Sequence, residues 1–262
     1  MNVVRRSLPT GTRAPGGATN AYLLGDDPAM LVDPAARSDD LDRLVADRDV
    51  AHVLVTHPHP DHVDAVAAYA DETDATVWAR YGRTDRFRDA TGRVPDRTFA
   101  PGATIPLGDD RVRLLDAPGH APDHVALEAG RDGPILCGDC ALASGSVVVG
   151  APEGDMRAYL TTLRRLRARD PPRLYPGHGP EIDDPRATLE RLLAHRLRRE
   201  RTVLAAVENG ARRLEEILDA AYEKDLAGVR DLAAATVVAH LEKLAVEGRL
   251  AWDGKRAWPD SD

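Results

Sequence analysis

Residues 57–62 read His57-Pro58-His59-Pro60-Asp61-His62, three imidazoles and one carboxylate within six positions. Imidazole nitrogen with carboxylate oxygen is a ligand set that suits zinc, manganese or iron and needs no thiolate. Side chains two apart in an extended loop point the same way, so His57 and His59 can reach one ion. Asp61 and His62 face elsewhere, toward a second. Six residues cannot close two metal sites, so other ligands must come from distant parts of the chain. Gly119-His120, Gly138-Asp139 and Gly177-His178 offer them.

Each of these groups follows an apolar segment that reads as a strand. Residues 51–56 form a buried run before the hexad, and the two prolines delay a helix until about Asp61 or His62. The segments 112–115, 134–137 and 173–175 lead in the same way to His120, Asp139 and His178. Glycine in each turn lets the backbone bend closely around an ion. A single H-x-H is often a surface accident, and a lone Gly-Asp is usually only a turn. Four such motifs in order, each after a strand, are hard to obtain by chance.

The set resembles the metallo-β-lactamase superfamily, whose pattern is T-H-x-H-x-D-H followed by G-H, G-D and G-H turns. Thr56 through His62, Gly119-His120, Gly138-Asp139 and Gly177-His178 match it, as do the opening segments 19–24 and 30–33. The resemblance covers about residues 10–190. It implies an α/β fold, an αββα sandwich, with His57, His59 and His120 on one metal. Asp61, His62 and His178 hold the other, Asp139 bridges both, and Asp33 supports the ligands from behind. Zinc is the implied metal, with manganese or iron as alternatives. Two divalent ions roughly 3.5 to 4 Å apart can share a hydroxide, which attacks a carbonyl or phosphorus. Asp61 can relay its proton and is the implied catalytic residue.

Particular residues narrow the resemblance. His59 stands where flavodiiron relatives carry Glu, and Asp139 stands where class B β-lactamases commonly carry Cys, so redox and antibiotic-cleaving roles fit poorly. Cys137-Gly138-Asp139-Cys140 is formally a C-x-x-C, but two cysteines cannot make a four-thiolate zinc site. Cys137 is expected to pack in its strand, with Cys140 beside the bridging ligand. Asp123-His124 lies just after His120, where His124 either orients a ligand or substrate or simply starts the next strand. The charged stretch 80–88 either lines the cleft and meets phosphate or forms a solvated loop.

A length of 262 with 43% hydrophobic and 30% charged residues describes an ordinary globular chain with a sizeable core. No apolar run approaches the ~20 residues of a membrane span. No signal peptide is recognisable, and cysteine usage points to the cytoplasm. Net charge −8 disfavours general affinity for polyanions. Lys224, Lys243 and Lys255 are the only lysines, a bias that suits GC-rich coding or a high-salt cell.

From about Pro185 the texture turns helical, over 186–208, 211–222 and 231–247. Leu250-Ala251-Trp252, Asp253-Gly254 and Arg256-Ala257-Trp258 then spell a hairpin, with Asp-Gly suited to a type I′ turn. This order resembles the C-terminal winged helix of one metallo-β-lactamase branch, which includes a mitochondrial endoribonuclease acting on single-stranded RNA. The expected division is therefore a catalytic domain over 1–194 and a winged helix over 195–262. From His195 onward 12 Arg and Lys face 13 Asp and Glu, so phosphate contacts would rest on a few residues such as Arg198, Arg199, Arg201, Arg249 and Arg256. The unit could equally cover a cleft or join a second protomer in a homodimer. His195 and His240 read as packing residues.

The leading expectation is a metal-dependent phosphodiesterase or endoribonuclease on single-stranded RNA. The alternative is a thioesterase of the glyoxalase II kind on a small-molecule ester or thioester, though its basic glutathione-gripping segment has no clear counterpart. A mono-iron persulfide dioxygenase lacks the C-terminal unit. The non-enzymatic alternative is a nucleic-acid-binding regulator, against which seven intact ligand positions argue.

Overall fold

Alternation of buried side chains along the strands sets the architecture. The computed structural model describes residues 1–222 and 225–260, so Lys224 and the last two positions lie outside the described residues. In chain order the elements begin with β1 (Val3–Pro9), β2 (Ala18–Gly25), β3 (Ala29–Val32), α1 (Asp39–Ala46), β4 (Val50–Leu54), α2 (Pro60–Val63) and α3 (Val66–Thr73). Then come β5 (Thr76–Arg80), α4 (Thr84–Thr91), β6 (Arg97–Phe99), β7 (Thr104–Leu107), β8 (Asp110–Asp116), β9 (Val125–Ala129) and β10 (Ile135–Gly138). The rest are α5 (Met156–Arg169), β11 (Leu174–Pro176), α6 (Pro185–Glu208), α7 (Leu214–Ala221), α8 (Arg230–Val246), β12 (Leu250–Trp252) and β13 (Ala257–Pro259). Two compact units form. The first comprises Met1–Ala117, Asp123–Gly145 and Asp170–Pro185; the second comprises Pro118–Pro122, Ser146–Arg169 and Arg186–Asp262.

In the first unit one sheet runs β1 to β6 in order, antiparallel through β3 and parallel from β3 to β6. The other runs β11-β10-β9-β8-β7, antiparallel except for the β10–β11 pair. Successive side chains on a strand point to opposite faces. Ala21 and Leu23 of β2 and Leu31 of β3 therefore join Leu41, Val66, Tyr69 and Phe87 from α1, α3 and α4 in one core. Their neighbours Tyr22, Leu24, Met30 and Val32 join Ile105, Leu114, Leu127 and Leu136 of the second sheet in another. The first sheet thus carries helices on one face and a second sheet on the other, the mixed α/β metallo-β-lactamase arrangement expected from sequence.

Local signals behave as chemistry requires. Ser38 accepts the N–H of Leu41 at 3.2 Å and three aspartates occupy the first turn of α1, where the helix dipole favours them. The helix after the hexad begins at Pro60, a residue earlier than expected, because proline is tolerated at the first helical position where no N–H is needed.

The second unit is built from α5, α6, α7, α8 and the β12–β13 hairpin. Val203, Val207, Ile217, Leu218, Val237, Leu241, Leu244, Leu250 and Ala257 share one core. Helix α7 starts at Leu214, three residues later than the periodicity suggests. The reason is local: the Glu216 carboxylate accepts the N–H groups of Arg212 and Arg213 at 2.8 and 3.0 Å and fixes the entry turn. The hairpin pairs Trp252 with Ala257, leaving a four-residue loop in place of the expected two-residue turn. There the Asp253 carboxylate accepts from Lys255 N (2.8 Å) and Arg256 N (2.7 Å). Arg164, Arg165 and Arg169 of α5 are exposed. His240 is buried, 3.6 Å from a Glu200 carboxylate that also holds Lys243 at 2.8 Å, so it packs internally. Helix α6 crosses position 194/195 without a break, so the backbone offers no linker at the boundary expected there. Among the described residues no helix is long and apolar enough to cross a membrane.

Candidate metal centre

Strand ends bring the site together within the first unit. β3 ends at the residue before Asp33, β4 runs into Thr56 and the hexad, β10 ends one residue before Asp139, and β11 ends two residues before His178. Parallel neighbours point their C-terminal ends to the same edge of a sheet, which is why residues so far apart in sequence meet.

Asp33 anchors the arrangement. It occupies the left-handed region with φ 51°, a conformation that aspartate tolerates better than most residues. Its Oδ1 accepts the Thr56 N–H at 2.6 Å, and its Oδ2 accepts the Thr56 hydroxyl at 2.7 Å. The same Oδ2 lies 3.1 Å from Nδ1 of His62. A carboxylate oxygen can only accept, so His62 carries a proton on Nδ1 and turns Nε2 inward. The Thr56 hydroxyl, having given its hydrogen to Asp33, accepts from Nδ1 of His57 at 3.1 Å and fixes that ring alike. Nδ1 of His178 donates to the Ala18 carbonyl at 2.9 Å. In the segment Pro118–Pro122, Nδ1 of His120 donates to the Val148 carbonyl at 2.7 Å. Four imidazoles are thus held in one tautomer by acceptors behind them, as metal-binding histidines require.

The inward atoms have the spacing a cation needs. Nε2 of His57 faces Nδ1 of His59 at 2.9 Å. Nε2 of His178 lies 3.3 Å from Oδ2 of Asp139 and 3.7 Å from Oδ2 of Asp61, and Nε2 of His62 lies 3.6 Å from Oδ1 of Asp139. Zinc–nitrogen bonds of about 2.05 Å put the ligand atoms of a tetrahedral site about 3.3 Å apart. His62 Nε2 is buried and makes no hydrogen bond among the described residues. A fully buried imidazole nitrogen without a hydrogen bond is costly unless a cation takes its lone pair.

Close packing sharpens the pocket. A Cβ on Gly177 would meet Asp139 Oδ1 at 2.4 Å and His62 Cε1 at 2.9 Å. One on Gly138, whose φ is 46°, would meet His124 Nε2 at 2.7 Å and Thr56 Oγ1 at 2.8 Å. His124 is fully buried and its Nε2 accepts the Asp139 N–H at 3.0 Å, so it holds the backbone of that residue. Cys140 lies beside the other edge of this ring, its Sγ 3.8 Å from Nδ1. Burial, reinforced by Asp139, pushes the Cys137 thiol up to about 12, and burial likewise raises Cys140. Both cysteines are free and buried, so their side chains pack inside the fold.

Asn20 is a residue whose part the sequence did not disclose. Its Nδ2 donates to the carbonyls of Pro176 and Gly179, both at 2.9 Å, and its N–H donates to the Gly177 carbonyl at 2.7 Å. Tyr22 adds its hydroxyl to the Pro176 carbonyl at 2.7 Å. Together they clamp the turn that carries His178. The available signal was a polar residue inside an otherwise apolar strand, since a buried amide must find partners.

Residues 14–178 match the family model described as Metallo-beta-lactamase superfamily, and the chain belongs to that superfamily. A Beta-lactamase-like protein 2 homolog from Drosophila melanogaster is 30% identical over 250 residues, covering 87% of this chain and 82% of the relative. An atrochrysone carboxyl ACP thioesterase from Paecilomyces divaricatus is 27% identical over 200 residues, covering 72% of this chain and 59% of that protein. The crystal structure of a metallo-beta-lactamase family protein from Thermus thermophilus superposes with TM-score 0.77 at 25% identity, covering 98% of both chains. The chain is accordingly a hydrolase of metallo-β-lactamase fold whose histidine and aspartate cluster suits two divalent cations. The non-enzymatic regulator is set aside.

Two outcomes follow from the geometry. Asn20→Ala frees the turn under His178 and is expected to weaken zinc binding by about 10- to 100-fold with the circular dichroism spectrum retained; unchanged affinity by competition titration would contradict the clamp. Burial opposes protonation of His62, but the charge and hydrogen bond of Asp33, then Asp139 and Asp61, outweigh it and push the pKa from 6.5 up to about 9. A pKa raised by folding stabilises fully below the unfolded value and is lost as pH rises through the folded one. Chelator-treated protein should therefore lose on the order of 3 kcal/mol between about pH 6.5 and pH 9.5. A melting temperature that is flat or rises across that window contradicts the assignment.

Proposed function

We propose that the chain is a two-metal hydrolase of acyl thioesters, with residues 1–194 as its catalytic part. His57, His59 and His120 are assigned to one cation, Asp61, His62 and His178 to the other, and Asp139 to both. Zinc is the cation best matched by these nitrogen and carboxylate donors and their spacing. Bound there, the pair supplies Lewis acidity and a water of lowered pKa. Asp61, partly exposed with Oδ2 3.7 Å from His178 Nε2, is assigned to receive the proton of the attacking water. Asp33, Thr56 and Asn20 keep the ligand rings and turns in place.

The inward convergence of imidazole nitrogens, with the buried His62 Nε2 among them, carries the hydrolase reading. The choice of thioester is supported by the thioesterase among the relatives. A net charge of −8 weighs against the competing reading, in which the substrate is a long polyanion such as RNA.

A second reading, a phosphodiesterase or endoribonuclease on single-stranded RNA, is favoured by the order of three helices and a hairpin over 195–262. We read that order as a winged helix. Its near-neutral charge weighs against RNA, and Arg199 is already engaged, its guanidinium 3.6 Å over the Tyr222 ring and bonded to the Ala221 carbonyl.

Zinc- or manganese-loaded protein is expected to turn over acetyl-CoA or S-lactoylglutathione and to leave a single-stranded RNA oligonucleotide intact. RNA cleavage without thioester turnover would reverse the order of the two readings. Asp61→Ala should lower kcat by about 10²- to 10⁴-fold, measured at saturating metal; a change under threefold removes Asp61 from proton transfer.

A further inference from the structure

Helices α5, α6 and α8 share the second unit with residues 118–122 and 146–155, so His120 is built into the helical part of the chain. Its ring is directed by the Val148 carbonyl, which accepts the Nδ1–H at 2.7 Å. Residues 146–149 belong to no strand or helix, so no regular pairing fixes where that carbonyl points. Other groups must hold it.

Arg196 is placed to do so. It is buried on α6, and its Nη2 donates to the Val147 carbonyl, one peptide before the acceptor of His120. The guanidinium also lies 5.5 Å from the ring centre of Tyr159 in α5. No carboxylate pairs with it among the described residues, and Glu200, one turn along α6, is taken by Lys243 at 2.8 Å. A buried guanidinium without a counter-ion is costly, and the Val147 carbonyl is the acceptor that offsets the cost. On the far side of Val148, the Ala151 N–H donates to the Ala235 carbonyl of α8 at 3.3 Å. A Cβ on Gly150 would meet the Cβ of Ala235 at 2.8 Å. The Val148 carbonyl is thus pinned between two anchors.

The turn itself is held from α5. Thr161, Thr202 and Thr236 each give their hydroxyl to the carbonyl four residues back in their own helix. Thr162, buried, reaches out of its helix to the Pro118 carbonyl at 2.7 Å, two residues before His120. The Asp155 N–H donates to the Gly119 carbonyl at 2.9 Å, and a Cβ on Gly119 would meet Tyr159 Cα at 2.3 Å. We propose that Arg196 and Thr162 are positioning residues for His120. Arg196 aims the carbonyl that keeps the proton on Nδ1, Thr162 fixes the turn, and Nε2 is left to meet a cation. This rests on the assignment of His120 to a metal.

The test uses the full chain with Arg196→Gln, Arg196→Lys and Thr162→Val, the last nearly unchanged in shape. Proton–nitrogen NMR of the histidine rings in chelator-treated protein, above about pH 8 where an ordinary imidazole is neutral, reports which nitrogen carries the proton. His120→Ala identifies the His120 signals. Wild type is expected to hold the Nδ1–H form alone, and Arg196→Gln and Thr162→Val to mix both tautomers, with partial recovery in Arg196→Lys. Competition titration should show zinc bound about 10- to 100-fold more weakly by the first two variants. Placed in the His120→Ala background, the same substitutions should cost no further affinity, within about twofold. An unchanged tautomer in a folded variant overturns the proposal, as does an equal zinc loss with and without His120. Should one variant not fold, the other decides. If His120→Ala leaves zinc binding intact, the ligand assignment fails and the tautomer alone decides the positioning claim.

Discussion

Asp33 stands behind the centre and lends its two oxygens to three donors, the backbone and hydroxyl of Thr56 and the Nδ1–H of His62. Through Thr56 it also governs His57. One carboxylate therefore decides the tautomer and direction of two rings, and a backbone carbonyl does the same for His178. A histidine ligates through whichever nitrogen lacks the proton, so proton placement at the back of each ring determines what its front can bind. Remove the acceptors, and the same residues become an ordinary cluster of imidazoles.

The scaffold serves this constraint. Two facing sheets bury Tyr22, Met30, Leu114 and Leu127 between them and leave strand ends free to carry polar turns. Gly138 and Gly177 admit the close approach of His124, Thr56, Asp139 and His62 that any Cβ would obstruct. Asn20 spans from β2 to the turn after β11 and converts a flexible Pro-Gly-His segment into a fixed one. Packing supplies the rigidity, and hydrogen bonds supply the aim.

Much of this is legible in the amino-acid sequence. The hexad and the later Gly-His and Gly-Asp turns announced themselves because metal ligation demands particular side chains and glycine tolerates tight turns. Buried strands also showed, since their apolar runs are short and end at those turns. Other features stayed hidden for physical reasons. The primary structure shows that Asn20 is polar in an apolar strand, but not which carbonyls it meets. Arg80 and Arg86 look like any other arginine in sequence; only Asp116 and Asp123, brought from elsewhere, show that both are paired. The onset of α7 and the loop at Asp253 were set by single carboxylates capturing nearby N–H groups, which periodicity does not report. The division expected at 194/195 followed a change in texture, but α6 runs through that position without a break.

Anomalous X-ray scattering from crystals of zinc-loaded protein tests the central claim most directly. The account requires two peaks about 3.5 to 4 Å apart, one against Nε2 of His57 and Nδ1 of His59, the other against Nε2 of His62 and His178, with Asp139 reaching both. No peak at these nitrogens, or a metal bound elsewhere while His62 Nε2 contacts only protein, would contradict it.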